Sequence, residues 1–408
     1  MKNIAVIGGG AAGFFSAISV KNHYSTYNVV LFEKSSKFLS KVKISGGGRC
    51  NVTNSTNDIR TLCNAYPRGG KKLKNIFHQF GTEDTRNWFE ERGVPLKVEP
   101  DGRVFPVSNN SQSIIDCLVH ECEKNNILIK FLRSVKYLSK VKSKWIINFN
   151  DNSSSDLFDS IIVASGGSPK LKGFDWLKNL GHKIINPIPS LFTFNMPNES
   201  IISLSGIALK QVRIKIIDTK IDLFGPLLIT HWGMSGPVIL KASSIGARDL
   251  FEKEYSFDIH INWLIETNTE ILFKKLEDYS MLFSNKLLSK QNPFDLPSRL
   301  WLFLIEKSNL NDNKKWGELG KKNMRKLIEF LTKDLYSVIG KTTFKEEFVT
   351  CGGVSLENID LKTLQSKIVT DLYFAGEVLD IDGLTGGYNF QSAWSTGFIA
   401  GKLAGKFY

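Results

Sequence analysis

Three glycines near the start of the chain have a spacing that can bind phosphate groups. Gly8, Gly10 and Gly13 follow the apolar run Ile4–Ile7. Glycines so spaced permit a tight turn, let a pyrophosphate approach the backbone and let a helix pack closely on a strand. The helix that begins there offers unpaired N–H groups and a partial positive charge to the phosphates. Because Glu33 ends the next apolar run, where it can accept hydrogen bonds from ribose hydroxyls, these residues predict a dinucleotide site.

Two later strand ends indicate which dinucleotide is bound. The apolar run Ile161–Ala164 continues into Ser165 and Gly166, and small residues there let a cofactor pass close over the sheet. Another apolar run ends in Gly376 and Glu377, near the other end of the chain. In FAD proteins with a two-part nucleotide domain such an acid binds the ribityl hydroxyls, whereas a domain that binds only NAD has no need of it. The spacing of the three pieces therefore favours FAD.

A further glycine-rich stretch opens the last predicted helix. It contains Gly386 and Gly387 and runs into Tyr388 and Asn389. Backbone N–H groups at this helix N-terminus could stabilise negative charge on the N1/O2 edge of a reduced flavin. A glycine-rich turn that only caps the helix fits the same residues, and the tyrosine–asparagine pair makes us favour the functional role.

Four stretches carry a resemblance to a known family. They are Ile44–Asn54, Gly102–Pro106, Thr230–Pro237 and Gly383–Asn389. With them the chain resembles, over nearly its whole length, the YhiN/BaiN-like bacterial FAD-dependent oxidoreductases, also called NAD(P)/FAD-dependent oxidoreductases or the aminoacetone oxidase family. The resemblance implies an α/β fold with a discontinuous, glutathione-reductase-like FAD-binding Rossmann domain and an inserted domain of a β-barrel plus helices.

The resemblance also implies a reaction and a substrate class. Members similar to YhiN reduce a uridine of 23S ribosomal RNA to dihydrouridine, and another branch is associated with C=C reduction in bile-acid intermediates. We therefore expect hydride transfer from flavin N5 to a conjugated C=C bond. The chain departs from the family pattern after Gly167, where the loop 168–174 is shorter and more basic.

The motifs and the resemblance together give a set of expected FAD contacts. They are Gly8, Gly10, Ala11, Ala12, Gly13, Glu33, Lys34, Lys41, Ser45, Gly46, Gly47, Arg49, Cys50, Val135, Ala164, Ser165, Gly166, Gly376, Glu377, Asp382, Gly386, Gly387, Asn389 and Phe390. No second Gly-x-Gly-x-x-Gly follows a strand, so a separate NAD(P)H domain is not expected. NADPH or NADH is predicted to act as a transient electron donor.

Two residues are candidate proton donors, because hydride transfer to one carbon requires an acid at the other. Cys50 lies in the basic, glycine-rich stretch, where Arg49 would favour its thiolate and raise its reactivity. Tyr388 is the competing candidate. Cys50 could instead pack beneath the loop, and Arg49 beside it would disfavour the protonated thiol. His231 fits a structural role as well as it fits a proton carrier.

Basic residues are concentrated in one segment. The net charge is +13, and residues 34–82 hold ten basic residues and one acidic residue, a net charge of +9. The positive electrostatic potential of such a segment favours a polyanionic partner. Together with the family resemblance, it predicts that this segment contacts ribosomal RNA. A solvated basic face is the alternative. The phosphate contacts would come from Lys37, Lys43, Arg68, Lys71, Lys72 and Lys74.

Three functions follow from these features. The first is an FAD enzyme that reduces a uridine in ribosomal RNA. The second is an NAD(P)H- and FAD-dependent oxidoreductase of a small molecule, with the charge incidental. The third is a non-catalytic flavoprotein that binds RNA.

Composition narrows the class of protein and the compartment. A chain of 408 residues predicts two or three domains. Because the sequence contains no run of eighteen consecutive apolar residues, no membrane-spanning helix is expected. The first apolar strand starts at Ile4, which leaves no room for a signal peptide. Five cysteines form no CxxC pair, and Cys117 and Cys122 lie on a helical pattern far from the glycine motifs, so disulfide chemistry is not expected. We expect a cytoplasmic protein without a metal site; nothing in the sequence fixes its oligomeric state.

Hydrophobic periodicity gives the elements and the domains. Residues 1–33 have a β-α-β pattern, and residues 37–66 are predicted to form a long loop. Residues 71–92 and 266–339 have helical patterns, and Ser111 is the expected N-cap of another helix. The predicted domains are 1–189 (FAD domain, first part), 190–265 (inserted antiparallel β domain), 266–347 (inserted helical subdomain) and 348–408 (FAD domain, second part).

Overall fold

The computed structural model describes residues 1–342 and 349–405, and the chain divides into two compact units. Unit 1 comprises Met1–Ser190 and Phe344–Tyr408, and unit 2 comprises Leu191–Thr343. Each unit has its own cluster of buried apolar side chains. The predicted domain boundary at residues 347 and 348 lies outside the described residues. So does Phe348, where the run Phe348–Thr350 of the sequence predicts that strand structure returns.

Unit 1 is built on a five-stranded parallel sheet. The strand order is β19 (Leu372–Phe374), β9 (Ser160–Val163), β1 (Asn3–Ile7), β2 (Asn28–Phe32), β6 (Leu128–Lys130). The central strand β1 pairs in parallel with β2 and β9, and Ile4, Ala5 and Val6 are fully buried. Continuous apolar runs suit parallel strands because such strands are covered on both faces.

Helices cover this sheet, and two of them pack closely together. The helices of unit 1 are α1 (Ala11–His23), α2 (Ser40–Gly48), α3 (Ile59–Asn64), α4 (Gly70–Gln79), α5 (Thr82–Glu90), α6 (Gln112–Lys124), α7 (Asp175–Lys178) and α13 (Tyr388–Gly401). A side chain at Gly401 would collide with Ser19, so glycine allows α13 to lie against α1. This contact joins the last helix of the chain to the helix that follows the first glycine motif.

Three small antiparallel sheets complete unit 1. They are β3 (Thr53–Asn54), β5 (Arg103–Pro106) and β4 (Leu96–Val98); β7 (Val135–Val141) and β8 (Lys144–Phe149); and β10 (Ile184–Ser190) and β18 (Val349–Val354). The pair β10–β18 brings the end of the first part of unit 1 beside the start of its second part.

Unit 2 contains a seven-stranded antiparallel sheet with helices. The strand order is β16 (Asp334–Ile339), β15 (Ser256–Asn262), β12 (Ala208–Ile216), β13 (Asp222–Thr230), β14 (Gly233–Ser235), β11 (Thr193–Asn195), β17 (Lys341–Thr342). The helices are α8 (Pro237–Ile245), α9 (Ala247–Glu252), α10 (Thr269–Leu282), α11 (Ser298–Lys307) and α12 (Gly320–Thr332).

Several predicted elements need correction. Residues 37–66 are not one loop, because α2, β3 and α3 lie within them. The helical pattern at 71–92 is two helices, since Phe80 and Gly81 are extended and the second helix begins at Thr82. Ser111 is the N-cap residue of α6, as expected, but its hydroxyl donates to the Lys43 carbonyl and makes no capping bond to the helix.

The helical prediction for residues 266–339 fails at its C-terminal end. Helix α12 ends at Thr332, and β16 follows with Asp334, Tyr336 and Val338 buried and the residues between them exposed. This alternation has the period of two that defines a half-buried strand. Helices α8 and α9, within the region of predicted antiparallel strands, were not expected. In the described part of the chain no helix is long and apolar enough to cross a membrane.

A buried histidine in unit 1 gives a pH-dependent stability. Burial lowers the pKa of His182, whose ring nitrogens bond the Leu177 carbonyl and the Ser366 hydroxyl. Below pH about 6.5 the unfolded chain takes up a proton that the folded chain rejects, so this contribution to stability is lost as pH falls. Denaturant titrations at pH 7 and pH 5 are expected to show a smaller loss for His182→Gln than for the wild type. Equal losses in the two proteins would contradict this.

Candidate cofactor site

The first glycine motif forms an open helix N-terminus at the edge of the parallel sheet. A side chain at Gly8 would collide with the Ala164 carbonyl, and one at Gly13 would collide with the Gly8 carbonyl. By contrast, apart from Gly10 itself and the two adjoining residues, no atom of the described residues lies within 4 Å of where a Cβ on Gly10 would be. Helix α1 begins at Ala11, and within the described chain no side chain caps it. Its first N–H groups therefore remain available for a phosphate.

Glu33 lies beside this turn. Its Oε2 accepts a hydrogen bond of 2.7 Å from Gly9 N, and its Oε1 accepts two bonds of 2.8 Å from the backbone and hydroxyl of Ser35. These bonds hold the carboxylate at the end of β2, next to the glycine turn. A carboxylate has about four acceptor positions, so it can still accept a bond from a ribose hydroxyl.

A cleft of about 470 Å³ lies at this edge of the sheet. It brings together residues expected to contact FAD, namely Gly8, Glu33, Lys34, Val135, Ser165 and Gly166. Residues 168 and 169 and 172–174, from the loop that departs from the family pattern, line the same cleft. Arg133 and Trp176 also line it and were not expected, since each lies outside any glycine motif.

The glycines at the ends of the two later strands, Gly167 and Gly376, lie near the first glycine motif at the start of α1. A side chain at Gly376 would approach the Ala12 methyl group to 2.7 Å, so the end of β19 lies against the first turn of α1. A side chain at Gly167 would approach Glu377 Oε1 to 2.8 Å. The ends of β1, β9 and β19, far apart in the sequence, therefore converge at one place.

Glu377 is paired with Lys41. Lys41 Nζ lies 2.7 Å from Glu377 Oε2, and Thr350 N donates a 2.9 Å bond to Glu377 Oε1. Both members of the pair are expected FAD contacts, and the structure brings them together. The pair is partly exposed, so the carboxylate can still accept bonds from a polyol chain.

Thr350 lies close to this pair, although the motifs did not indicate it. Its hydroxyl oxygen is buried and has no hydrogen-bond partner among the described residues. The sequence feature that could have indicated this segment is the pair Gly352–Gly353 within an apolar run, because glycines inside a strand mark places where another backbone approaches closely. Both have positive φ, 113° and 133°, and pack against neighbouring backbone.

The glycine bend before Cys50 is left-handed throughout. Gly46, Gly47 and Gly48 have φ of 59°, 70° and 83°, which favours glycine at each position. A side chain at Gly46 would approach the Phe105 ring to 2.8 Å, whereas Gly47 is exposed. The hydroxyl of Ser45 donates to the Val42 carbonyl, so it is used inside the bend.

Arg49 is held within the protein. Its Nη1 lies 2.6 Å from Glu99 Oε1, and its guanidinium carbon lies 4.0 Å from the centroid of the Phe105 ring. The ion pair with Glu99 and the cation–π contact with Phe105 of β5 together hold the Arg49 side chain away from Cys50.

The expectation of a reactive thiolate at Cys50 is wrong. The side chain is fully buried, and burial raises its pKa to about 12. Its N–H donates to the Ser45 carbonyl, and its left-handed φ of 60° places it beneath the glycine bend. The raised pKa disfavours a nucleophilic thiolate, and the full burial keeps the thiol from contact with a substrate, so Cys50 packs under the bend.

Native thiol labelling tests this assignment. No disulfide links the five cysteines, which all lie in the described residues; Cys50, Cys117, Cys122 and Cys351 are buried and Cys63 is half-buried. We expect an aromatic disulfide reagent to label about one thiol per native chain and five after denaturation, since exposure controls access. Loss of the native signal in Cys63→Ser would identify the site, and rapid labelling of Cys50 would contradict its burial.

The glycine-rich loop 383–387 is tied to the segment around Thr53. Asn54 Nδ2 donates to the Gly386 carbonyl at 3.1 Å, and a side chain at Gly387 would collide with the Thr53 carbonyl. The Tyr66 hydroxyl donates to the Tyr388 carbonyl at 2.6 Å. Helix α13 starts at Tyr388, and in the described residues no side chain caps its N-terminus.

Two expected FAD contacts near this loop have internal roles. The Asn389 amide accepts from Gly383 N at 2.8 Å and donates to Gly383 O at 2.9 Å, so it closes the loop on itself. The Phe390 ring is stacked 5.8 Å from the Trp394 ring in the core. Tyr388 is half-buried; its Cβ lies against Gly383 and its ring lies against Gly386.

Asp382 is not available to a cofactor. It is fully buried, its Oδ1 accepts a 2.6 Å bond from Arg68 Nε, and its Oδ2 accepts from Arg68 Nη2 and from the Ser190 hydroxyl. The same pair removes Arg68 from the expected RNA contacts, because that side chain is buried. Sequence spacing could not show this pair, whose members are 314 residues apart.

The remaining basic residues of segment 34–82 face solvent. Lys37 and Lys43 are exposed, and α4 exposes Lys71, Lys72 and Lys74 while it buries its apolar face. Lys41, Arg49 and Arg68 each have an acidic partner.

The chemistry of these residues fits FAD. The open N-termini of α1 and α13, the space above Gly10 and the Glu33 and Glu377 carboxylates suit a long, anionic, polyhydroxylated cofactor. Across residues 1–342 and 349–405 no cluster of three or more His, Cys, Asp or Glu side chains could hold a metal ion.

Fold and site define a Rossmann-type FAD-binding protein of the oxidoreductase class. The chain belongs to the HI0933-like protein Rossmann domain family, whose model matches residues 2–403. The expected family and fold class are thereby confirmed.

Two similar proteins differ in their named substrates. The 3-dehydro-bile acid delta(4,6)-reductase of Clostridium scindens is 25% identical over 414 residues, which cover 100% of both chains. The ribosomal RNA dihydrouridine synthase of Escherichia coli is 29% identical over 410 residues, which cover 97% of this chain and 96% of that protein. Among solved structures, the open conformation of a flavocytochrome c3 fumarate reductase has a similar fold, with a TM-score of 0.50, 17% identity and coverage of 99% of this chain and 78% of that chain.

Proposed function

We propose that this protein uses FAD to reduce uridine to dihydrouridine in 23S ribosomal RNA. The observation that carries the FAD site is the convergence of Gly8, Gly167 and Gly376, from three strand ends, at the open N-terminus of α1. Bound FAD would supply hydride to one carbon of the conjugated C=C bond. NADPH or NADH would bind transiently and reduce the oxidised flavin again.

Each part of the site has a role in this proposal. The N-terminus of α1 would hold the pyrophosphate, Glu33 the ribose, and Glu377 with Lys41 the polyol chain. Tyr388 is the proposed proton donor to the second carbon, because Cys50 is buried and Tyr388 stands at the start of α13.

Exposed lysines support RNA as the substrate. Lys37, Lys43, Lys71, Lys72 and Lys74 would contact phosphates, which makes binding sensitive to salt. Two relatives named as ribosomal RNA dihydrouridine synthases are 28% and 29% identical to the chain over nearly its full length. Such a substrate places the enzyme in the cytoplasm, where ribosomal RNA is found.

The second candidate is reduction of a small molecule. It is favoured by the likeness to a bile acid reductase over the full length of both chains. In that case the basic surface would not contribute to substrate binding.

Mass spectrometry of ribosomal RNA tests the proposal. A strain that lacks the gene should lose dihydrouridine, the wild-type gene should restore it, and Tyr388→Phe should restore much less, since general acids contribute about 10²- to 10⁴-fold. Unchanged dihydrouridine in the deletion strain would reject RNA as the substrate. NAD(P)H oxidation by the same purified protein with an unsaturated small molecule would then favour the second candidate.

A further inference from the structure

A buried ion pair stands directly before the loop that opens α13. Asp382 is fully buried, and Arg68 is 9% exposed. The guanidinium meets the carboxylate through Nε and Nη2, the two-pronged geometry that fixes both side chains. The Ser190 hydroxyl adds a 2.8 Å bond to Asp382 Oδ2.

The backbones of the two residues also pair. Arg68 and Asp382 form an antiparallel bridge, and a side chain at Gly69 would approach Ile381 to 2.8 Å. The segment before α4 and the segment before α13 therefore lie against each other. Gly383, which directly follows Asp382, forms two backbone hydrogen bonds with the side-chain amide of Asn389.

The loop is thus fixed at both ends. Its first end is set by the Arg68–Asp382 pair and its second end by Asn389 and by the Tyr66 bond to the Tyr388 carbonyl. Between them, Leu384 N donates to the Ala65 carbonyl at 2.8 Å. Asp382 is joined to the backbone N–H groups that open α13 through Gly383 and this short loop, so a shift of Asp382 would strain that connection.

We propose that Arg68 and Asp382 are positioning residues that set the reduction potential of the bound flavin through this loop. The proposal rests on FAD binding as proposed above. A helix N-terminus stabilises negative charge only within about a turn, so its effect on the reduced cofactor depends on its placement. A buried ion pair adds little net stability, whereas it can fix one arrangement of the chain.

Two variants change the pair in different ways. Asp382→Asn keeps the shape and removes the charge, and Arg68→Lys keeps the charge and removes the two-pronged contact. Glu121→Gln is the matched control, because Glu121 is another buried carboxylate of unit 1 that pairs with an arginine, the half-buried Arg92. Glu121 lies on α6 and Arg92 lies just after α5. FAD content, unfolding temperature and the two-electron midpoint potential are measured for all four proteins.

We expect Asp382→Asn and Arg68→Lys still to bind FAD. In each variant the preference for reduced over oxidised FAD should be about tenfold weaker than in the wild type, which lowers the two-electron midpoint potential by about 30 mV. Glu121→Gln should lose stability and keep the wild-type potential. Wild-type potentials in both loop variants, or an equal shift in the control, would overturn the inference. If Asp382→Asn fails to fold, Arg68→Lys decides alone. Absence of FAD from the wild-type protein would instead refute the proposed function, so the two failures are distinct.

Discussion

Replacement of Gly10 with alanine should lower the affinity for FAD more than tenfold and leave the apo-protein as stable as the wild type. Apart from the adjoining residues, no described atom lies within 4 Å of the added methyl group, and φ of −93° with ψ of −173° suits alanine. The methyl group would instead occupy the space through which a pyrophosphate reaches the backbone. Fluorescence titration gives the Kd for FAD, and thermal unfolding gives the stability.

Gly13→Ala is the matched comparison. Its methyl group would collide with the Gly8 carbonyl, so α1 must move away from the sheet. Overpacking of this kind costs about 1–3 kcal/mol, and the apo-protein itself should be destabilised. If Gly10→Ala also destabilised the apo-protein, or if it left the Kd unchanged, the open space above Gly10 would not be the phosphate site.

Asp334→Ala should lower the free energy of unfolding of unit 2 by about 3–5 kcal/mol. Asp334 is fully buried and bonds Lys307 Nζ at 2.6 Å, the Tyr336 hydroxyl at 2.5 Å and Trp263 Nε1 at 3.0 Å. Its loss leaves three donors without their acceptor, and Tyr336 and Trp263 are too deeply buried to find water.

Tyr336→Phe calibrates this prediction. It removes one hydrogen bond and keeps the carboxylate paired with Lys307, so it should cost about 1 kcal/mol. Denaturant unfolding monitored by fluorescence of the unit 2 tryptophans measures both variants. Similar losses in the two proteins would show that the carboxylate does not organise this cluster.

Local motifs made part of the site predictable from sequence. The turn at Gly8 and Gly13 and the placement of Glu33 depend on residues within one βαβ unit, where spacing dictates geometry. Gly376 and Ala12 were both expected to contact FAD in a two-part domain, and the fold places them side by side.

Long-range packing set the limits of prediction. Arg68 and Asp382 each had a plausible exposed role, and only the fold shows that they neutralise each other. Cys50 lies beside an arginine in sequence, yet Arg49 turns to Glu99 and leaves the thiol buried. Neighbours in the chain did not determine neighbours in space at these positions.

A glycine-rich composition misled the element assignment in one segment. Residues 37–66 contain turn-forming residues, yet Val42 and Leu62 are buried and hold the short helices α2 and α3 against the core. Tertiary packing overrode local propensity there, as it does for many short helices.

Anaerobic single turnover tests the proposed function most directly. The flavin of the purified protein is first reduced and then mixed with unmodified 23S ribosomal RNA. We predict that the flavin is reoxidised and that about one dihydrouridine forms for each flavin. A flavin that stays reduced, with no dihydrouridine in the RNA, would contradict the account.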